Sequence, residues 1–223
     1  GFGYTGAEVL ADVYAFGREQ TVRVVLRQGQ RKQIWQNGVK KTAAEHNIPL
    51  DGITLRHCTE TIEMCDEPAR AIRQKKDSSI VVGLNLLKEG KGDAFVSAGS
   101  TGALHVGASL IVRTLRGVKR PALATPMPGA KQNFLLLDCG ANVECTAEYL
   151  LQFAYMGSFY ARRMMGLENP RVGLLNVGTE DTKGDPLRKE AYALLKKAGD
   201  EGRINFVGNV EGSMVPLGAC DVA

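Results

Sequence analysis

The sequence predicts an α/β fold with a mostly parallel β-sheet that carries helices on both faces. Three observations lead to this prediction. Short, nearly continuous apolar runs are typical of strands buried on both faces. Amphipathic segments with helical spacing alternate with these runs. Glycine-rich turns follow the apolar runs, where a backbone must pass close to a ligand. The chain has 223 residues, of which 44% are hydrophobic, so it can bury a full core.

Elements in the first half follow from apolar patterning and capping residues. Residues 22–26 and 53–57 read as strands, and residues 33–46 lie between them as a helix. Asp66 is predicted to cap the next helix, with Pro68 in its first turn and an end near residue 76.

The centre of the chain continues the alternation. Ser78-Ser79 predicts the start of a helix over 80–88. Residues 94–96 predict a short buried strand, and the glycine-rich turn 97–102 leads from it into a helix over 103–115.

The second half shows the same order of elements. Asp185 and Pro186 are a cap and a first-turn residue, so they fix the start of its last helix. The predicted elements are a strand over 134–137, a helix over 148–165, a strand over 171–177, a helix over 185–197 and a strand over 204–207. We expect one domain over residues 1–223 that is incomplete at both ends, because the chain begins at Gly1 and stops where a further strand starts.

Composition narrows the class of function. The net charge of +4 suits an anionic small substrate or an acidic protein partner and does not demand nucleic acid. The five cysteines show no metal-type spacing and read as reduced thiols of a cytoplasmic protein. No apolar run approaches the roughly 18 residues of a membrane span. No paired metal ligands or Ser/His/Asp order can be defended.

The turn after the strand at 94–96 is a candidate anion site. Free N–H groups at a helix start favour an anion, glycines allow close approach, and hydroxyls add donors. The alternative is tight strand–helix packing with ordinary capping serines. The candidate phosphate-binding residues are Ser97, Gly99, Ser100, Thr101 and Gly102.

Asp138 and Asn142 follow the apolar run at 134–137 and form a second candidate. The carboxylate could orient a neighbouring base or lysine, and the amide could hold a carbonyl or phosphate oxygen. The alternative is an Asx turn.

Lys183 lies just before a predicted helix, where a cation opposes the helix dipole. An anionic ligand explains such a lysine, which could fix phosphate and stabilise an oxyanion. A solvated lysine in a polar loop is the alternative. Asn176, Gly178 and Glu180 of the same segment are further candidates for binding phosphate or acyl phosphate, and so is Asn209, a weaker candidate that follows the strand at 204–207.

Together these stretches resemble the phosphate acyltransferases of bacterial phospholipid synthesis, the PlsX family. Coverage runs from about residue 22 to residue 222. The matching segments are HCTETIEM at 57–64, DEPARAIRQKKDSS at 66–79, VSAGSTGAL at 96–104, RPAL at 120–123, LLDCGANVE at 136–144, QFAYMG at 152–157, RVGLLNVGTEDTKG at 171–184 and NFVGNVEG at 205–212.

The resemblance implies a Rossmann-like fold of the isopropylmalate dehydrogenase and phosphotransacetylase type, as a homodimer. It implies transfer of a fatty acyl group from acyl carrier protein to inorganic phosphate, without metal or organic cofactor. It also implies a cytoplasmic protein with peripheral contact at the inner face of the membrane. Because phosphate supplies the nucleophile, Lys183 and the turn at 97–102 are expected to hold it, while Asp138, Asn142 and Asn209 position the groups around it.

Three alternatives remain at this stage. A phosphotransacylase that uses coenzyme A thioesters would need no carrier protein. A dehydrogenase on the related fold would need a cofactor loop and metal-binding aspartates, and the sequence shows neither. A non-catalytic scaffold of lipid synthesis at the membrane would bind the carrier without turnover.

Overall fold

A computed structural model describes residues 23–26, 43–47, 54–97 and 99–223. The chain divides into two compact units, Gly1–Thr114 and Leu115–Ala223.

The first unit contains two parallel strands. β1 (Arg23–Leu26) pairs with β2 (Thr54–His57), with Arg23 opposite Thr54. Both strands confirm the predictions from apolar runs. Of the helix predicted over 33–46, residues 43–45 are helical, whereas 33–42 lie outside the described residues.

The helix α1 (Pro68–Gln74) shows that the predicted cap was wrong by one residue. The carboxylate of Glu67, not that of Asp66, accepts the free N–H groups of the first turn, at 3.0 and 2.6 Å. Asp66 instead accepts hydrogen bonds from the Glu63 N–H and the Lys75 ammonium. The capping residue must be extended and directly precede the first helical residue, and Glu67 meets both conditions.

The next helix, α2 (Ser79–Lys88), follows Ser78 as predicted, although the Ser78 hydroxyl donates to the Lys75 carbonyl oxygen and caps nothing. The strand predicted over 94–96 is wrong, because those residues form no regular structure. Phe95 packs its ring on Gly83 of α2, where a Cβ would lie 2.1 Å from the ring. The apolar side chain of Phe95 thus packs against a helix and does not belong to a β-strand.

The helix that follows is shorter than the predicted 103–115. α3 (Thr101–Gly107) continues as a π-helical turn over Ala108–Val112. Gly107 lets α3 approach its neighbours, since a Cβ there would lie 2.6 Å from Leu84 and 3.0 Å from Ile72. The buried core of this unit is Ile62, Ala71, Ile72, Ile80, Val81, Leu84 and Ala103.

The second unit is built on a mixed, mostly parallel sheet. β3 (Thr125–Met127) pairs antiparallel with β4 (Phe134–Leu136), and β5 (Arg171–Asn176) pairs parallel with β6 (Asn205–Glu211). Val222 bridges in parallel to both Leu135 and Val172, so its segment lies between β4 and β5. The carboxyl ends of β4 and β5 therefore lie at one rim of the sheet.

The long helices pack against one face of this sheet. α4 (Ala147–Met164) and α5 (Pro186–Asp200) bury small and aliphatic side chains against Leu135, Val172 and Leu174. The carboxylate of Asp185 accepts the Arg188 N–H at 2.8 Å, which confirms the predicted cap. The opposite face carries a smaller cluster of Phe134, Val210, Val215 and Cys220.

The strand β6 extends beyond the predicted 204–207, so Asn209 lies inside the strand and not after it. The pairing register with β5 shifts between Val172 and Leu174, and Gly208 has φ +94°. The bulge accommodates Gly208 within the strand, whereas the sequence pattern predicted that the strand ends before this glycine. Among the described residues, no helix is long and apolar enough to cross a membrane.

Candidate active site

The candidate turn in the first unit is held by local contacts. Ser100 caps α3, its hydroxyl accepting the Ala103 N–H at 3.3 Å, and the Ser97 hydroxyl accepts the Gly99 N–H at 3.1 Å. Ser100 is buried, whereas Gly99, Thr101 and Gly102 are exposed. The surface of the turn is therefore formed by Gly99, Thr101 and Gly102, whereas the hydroxyls of Ser97 and Ser100 bond to the backbone of the turn and of α3.

Both glycines of this turn also have a packing role. A Cβ at Gly99 would lie 3.3 Å from the Ile80 side chain, and one at Gly102 would lie 3.1 Å from the ring of Pro68. The capping and packing functions that were the alternative to anion binding are thus both present. The Gly99 N–H is already bonded to Ser97, so Thr101 and Gly102, which are exposed at the start of α3, are the residues that face solvent where a ligand could bind.

In the second unit, Asp138 and Asn142 tie two segments together. Oδ1 of Asp138 accepts the Leu123 N–H at 2.7 Å, and Oδ2 accepts the Asn142 backbone N–H at 2.7 Å and its Nδ2 at 3.2 Å. Asn142 Nδ2 also donates to the Pro121 carbonyl at 3.0 Å. The contacts reach back to residues 121–123, so they exceed the local Asx turn that the sequence left open.

The electrostatics of Asp138 favour a charged, fixed carboxylate. Burial raises its pKa, but hydrogen bonds from the backbone N–H groups of Leu123, Asn142 and Ala141 outweigh burial, and the net pKa lies below its usual range. A carboxylate with this many donors is a weak proton acceptor. Its geometry suits the positioning of the loop at 121–123 and 138–142 at the rim of the sheet.

The segment that carries Lys183 is held by two asparagine side chains from neighbouring strands. Asn176 at the end of β5 accepts the Val177 N–H at 2.8 Å and donates to the Lys183 carbonyl at 3.1 Å. Asn209 of β6 donates to the Glu180 carbonyl at 2.7 Å. Both asparagines are buried, so the loop backbone is fixed from below.

Two glycines make this loop compact. A Cβ at Gly178 would lie 2.9 Å from the Glu180 carboxylate and 3.2 Å from the Lys183 stem. Gly184 has φ +95°, and a Cβ there would lie 2.7 Å from Asn176 Oδ1. A side chain at Gly184 would therefore displace Asn176 and strain the backbone, whereas one at Gly178 would meet only the exposed side chains of Glu180 and Lys183.

Lys183 itself remains available to a ligand. Its ammonium lies 3.9 Å from the Glu180 carboxylate, and 51% of the lysine side chain and 62% of the glutamate side chain are exposed. An ion pair so long and so open contributes little, which leaves the cation able to meet an anion.

One buried acceptor beside the loop has no partner. Asn209 is 5% exposed, and within the described part of the chain its Oδ1 accepts no hydrogen bond. An unpaired buried polar atom costs about 1–3 kcal/mol, so it marks a site of strain or of function.

The predicted residues thus fall into three groups. Asn176, Gly178, Glu180, Lys183 and Asn209 form one cluster. Asp138 and Asn142 form another at the same sheet rim. The turn at 97–102 belongs to the other unit. Across the described residues, no group of His, Cys, Asp and Glu could hold a metal ion.

Arg120 is a neighbour of the site that the candidate residues omitted. Burial raises the pKa of Cys145, the charge of Asp138 raises it further and Arg120 lowers it, so the guanidinium and the Asp138 carboxylate both act on one thiol. Arg120 opens the RPAL segment, whose carbonyl and amide groups bind Asn142 and Asp138. That segment was the available signal in the sequence.

Comparison with known proteins identifies a family for this chain and several similar proteins. Residues 4–223 match the family of fatty acid synthesis proteins. The chain is 51% identical to a phosphate acyltransferase of Caldicellulosiruptor bescii over 84% of this chain and 55% of that protein. It is 50% identical to a phosphate acyltransferase of Desulfitobacterium hafniense over 82% of this chain and 54% of that protein. The chain spans about half the length of these curated relatives.

Solved structures show the fold. The EutD phosphotransacetylase of Staphylococcus aureus superposes with a TM-score of 0.56 at 17% identity, over 97% of this chain and 81% of that one. A branched-chain phosphotransacylase of Enterococcus faecalis gives a TM-score of 0.51 at 13% identity, over 100% of this chain and 75% of that one. These similarities confirm the predicted α/β fold of the phosphotransacetylase type.

Proposed function

The chain belongs to the family of fatty acid synthesis proteins, and we propose that it is an acyltransferase that moves a fatty acyl group from acyl carrier protein to inorganic phosphate. The product is an acyl phosphate for phospholipid synthesis. The relatives named phosphate acyltransferase support phosphate as the acceptor. Acyl carrier protein as the donor rests on the motif resemblance.

The observation that carries the proposal is the fixed loop of Lys183 at the sheet rim. Two buried asparagines hold its backbone, and the ammonium stays exposed. Parallel sheets bind ligands at the carboxyl ends of their strands, where this loop lies. An exposed ammonium on a backbone held in this way is suited to a small, multiply charged oxyacid.

The reaction needs orientation and charge stabilisation from the protein. A phosphate oxygen attacks the thioester carbonyl carbon, the C–O bond forms, the C–S bond breaks, and the carrier leaves as a thiolate that takes a proton from water. Holding both reactants in place can remove about 7–11 kcal/mol of the barrier. We assign phosphate binding and oxyanion stabilisation to Lys183, and further phosphate contacts to the exposed turn at 97–102.

The remaining candidates have supporting roles in this proposal. Asp138 and Asn142 fix the neighbouring loop at the rim, and Asn176 and Asn209 fix the loop of Lys183. These contacts support the predicted positioning role of Asn142 and Asn209, and they give Asn176 a positioning role beside its predicted contact with phosphate. We further propose a homodimer in the cytoplasm with peripheral contact at the inner membrane face, as the resemblance implies.

The experiment is a reconstituted transfer with the full-length protein. Palmitoyl carrier protein and phosphate are incubated with it, and acyl phosphate is trapped as the hydroxamate and identified by mass spectrometry. Parallel arms omit phosphate or replace the donor by palmitoyl-CoA or acetyl-CoA. We expect acyl phosphate only with phosphate present and the highest rate with the carrier. Turnover confined to the CoA thioesters would contradict the proposed donor, and carrier binding without any product would indicate a scaffold.

A further inference from the structure

We propose that the exposed loop over residues 115–120, together with Val143, is the docking surface for an acidic protein, namely the carrier of the acyl donor. This inference rests on the proposed function. It concerns where the carrier binds, which neither the family match nor the relatives' names address. Residues 115–120 form the basic loop, and Val143 lies outside it.

The charge of the basic loop has one sign. The chain has 24 acidic residues among 223, yet none falls between Asp93 and Asp138. The basic loop itself carries Arg116, Lys119 and Arg120. Glu148 of α4 pairs with Lys119, and Glu144 lies exposed after Val143, so the net positive charge of the loop comes from Arg116 and Arg120. Exposed cations of this kind steer a partner of opposite charge and raise its rate of association.

The basic loop is held by side chains of α4, although it is exposed. Oε1 of Gln152 on α4 accepts the Lys119 N–H at 2.9 Å, and Nε2 of the same side chain donates to the Gly117 carbonyl at 3.2 Å. Glu148 pairs with the Lys119 ammonium, and Arg120 lies 5.9 Å from the ring centre of Tyr149. A loop that is already ordered loses less entropy on binding, so these contacts favour a docking role over a merely solvated loop.

The basic loop presents an apolar contact beside a free cation. Leu115 is 82% exposed, and Arg116 has no ion-pair partner in the part of the chain that the structure describes. Arginine beside exposed apolar side chains is a typical composition of a protein interface. Val143, which is fully exposed, adds a second apolar contact.

The position of the basic loop connects it to the candidate site. Pro121 follows Arg120 directly, and its carbonyl accepts a hydrogen bond from the Asn142 side chain. Val143 follows Asn142 in the chain, so both parts of the docking surface adjoin this contact. Asp138 and Arg120 both act on the pKa of Cys145, so the loop's last cation lies beside the site. A carrier bound here would sit next to the rim of the sheet, where its thioester must be delivered.

The test measures carrier binding separately from turnover. Fluorescently labelled acidic carrier protein is titrated with full-length wild-type protein and with Arg116→Glu, Leu115→Ser and Lys196→Glu. Lys196 lies exposed on α5, away from the basic loop in sequence, and makes the matched charge-reversal control. We expect Arg116→Glu to weaken binding about tenfold or more, Leu115→Ser several-fold, and Lys196→Glu less than twofold.

Kinetics then distinguish the surface from the proposed function. Arg116→Glu should raise KM for the acyl carrier and leave turnover with a CoA thioester unchanged, and added salt should weaken wild-type binding. Unchanged carrier affinity in both loop variants would overturn the docking surface, as would equal weakening by Lys196→Glu. Preferential binding of the loop to anionic lipid vesicles would also overturn it. Wild-type carrier binding without turnover would instead contradict the proposed function.

Discussion

The two loops to which we assign phosphate are held in different ways. In the turn at 97–102, Ser97 and Ser100 bond to N–H groups two and three residues away. In the loop at 177–184, Asn209 reaches a carbonyl 29 residues distant, and Asn176 reaches one seven residues distant. The first loop is therefore shaped by its own sequence, whereas the second depends on the pairing of β5 with β6.

This difference shows how the backbone that carries Lys183 gains its position. Glycines and capping serines can build an anion-binding turn at a helix start without distant support. A lysine with half its side chain in solvent needs a fixed backbone, which here comes from side chains buried under the loop. Mutations in the loop at 177–184 or in its asparagines should consequently change turnover. The structural effect of mutations in the turn at 97–102 should be confined to the turn itself.

The largest effect is expected from Lys183→Ala. Loss of a positioned oxyanion donor reduces turnover by about a hundredfold or more. Acyl phosphate formation under saturating substrates is the measurement, with Lys189→Ala on the exposed side of α5 as the control. A rate within a few-fold of wild type would remove Lys183 from the mechanism.

A smaller effect on stability should come from another distant contact, Asp221→Asn. Oδ1 and Oδ2 of Asp221 bind the Arg171 guanidinium and N–H and the Gln132 amide, and the residue is buried. Hydrogen bonds to a charged group are worth about 1.5–3 kcal/mol, so urea unfolding should show a loss of roughly 2 kcal/mol. Asp200→Asn, exposed at the end of α5, should change the unfolding free energy by less than about 0.5 kcal/mol.

The same carboxylate predicts a pH dependence. Burial raises the pKa of Asp221, but hydrogen bonds from Arg171 and the Arg171 charge outweigh it, so the folded pKa lies below the unfolded one. The stabilisation is therefore complete above the unfolded pKa of about 3.9 and is lost as pH falls toward the folded pKa. Wild-type unfolding free energy should drop in that range, and Asp221→Asn should flatten the drop. Parallel curves for both proteins would contradict this role.

Asn209→Ala tests the support of the Lys183 loop. Removing the bond to the Glu180 carbonyl should cost about 1 kcal/mol of stability. Because the loop then loses its fixed position, turnover should fall with a raised KM for phosphate, yet less than in Lys183→Ala. Asn205→Ala on the same strand removes a bond to the Asn169 carbonyl and serves as the control. Equal kinetics for the two variants would mean that Asn209 only stabilises the strand.

The smallest effect should follow from changing the local cap. Ser100→Ala removes the bond to the Ala103 N–H and should cost about 1 kcal/mol in urea unfolding, while Ser100→Asn should retain the cap. If Ser100→Ala instead destabilised the protein as strongly as Asp221→Asn, the turn would depend on contacts beyond its own residues.

Sequence reasoning succeeded where structure is locally determined. The strands β1, β2, β4 and β5 and the cap at Asp185 follow from apolar runs and capping chemistry. It failed at Phe95, which was predicted to lie in a strand but packs on Gly83 of a helix. It also failed at Asp66, whose carboxylate binds the Lys75 ammonium and does not cap the helix.

The contacts within the candidate site could not be predicted from the sequence. Asn176 and Asn209 were identified as polar residues near the rim, but their bonds to the Lys183 loop require the β5–β6 pairing and the bulge at Gly208. No spacing along the chain encodes that register shift. The links from Asp138 to Leu123 and from Asn142 to Pro121 are equally invisible to local patterns.

A crystal structure of the full-length protein with bound phosphate would show whether Lys183 holds the acceptor. We expect the phosphate to contact the Lys183 ammonium, above the loop that Asn176 and Asn209 hold. A phosphate bound away from Lys183, with the ammonium still facing solvent, would mean that this lysine has no part in binding the acceptor.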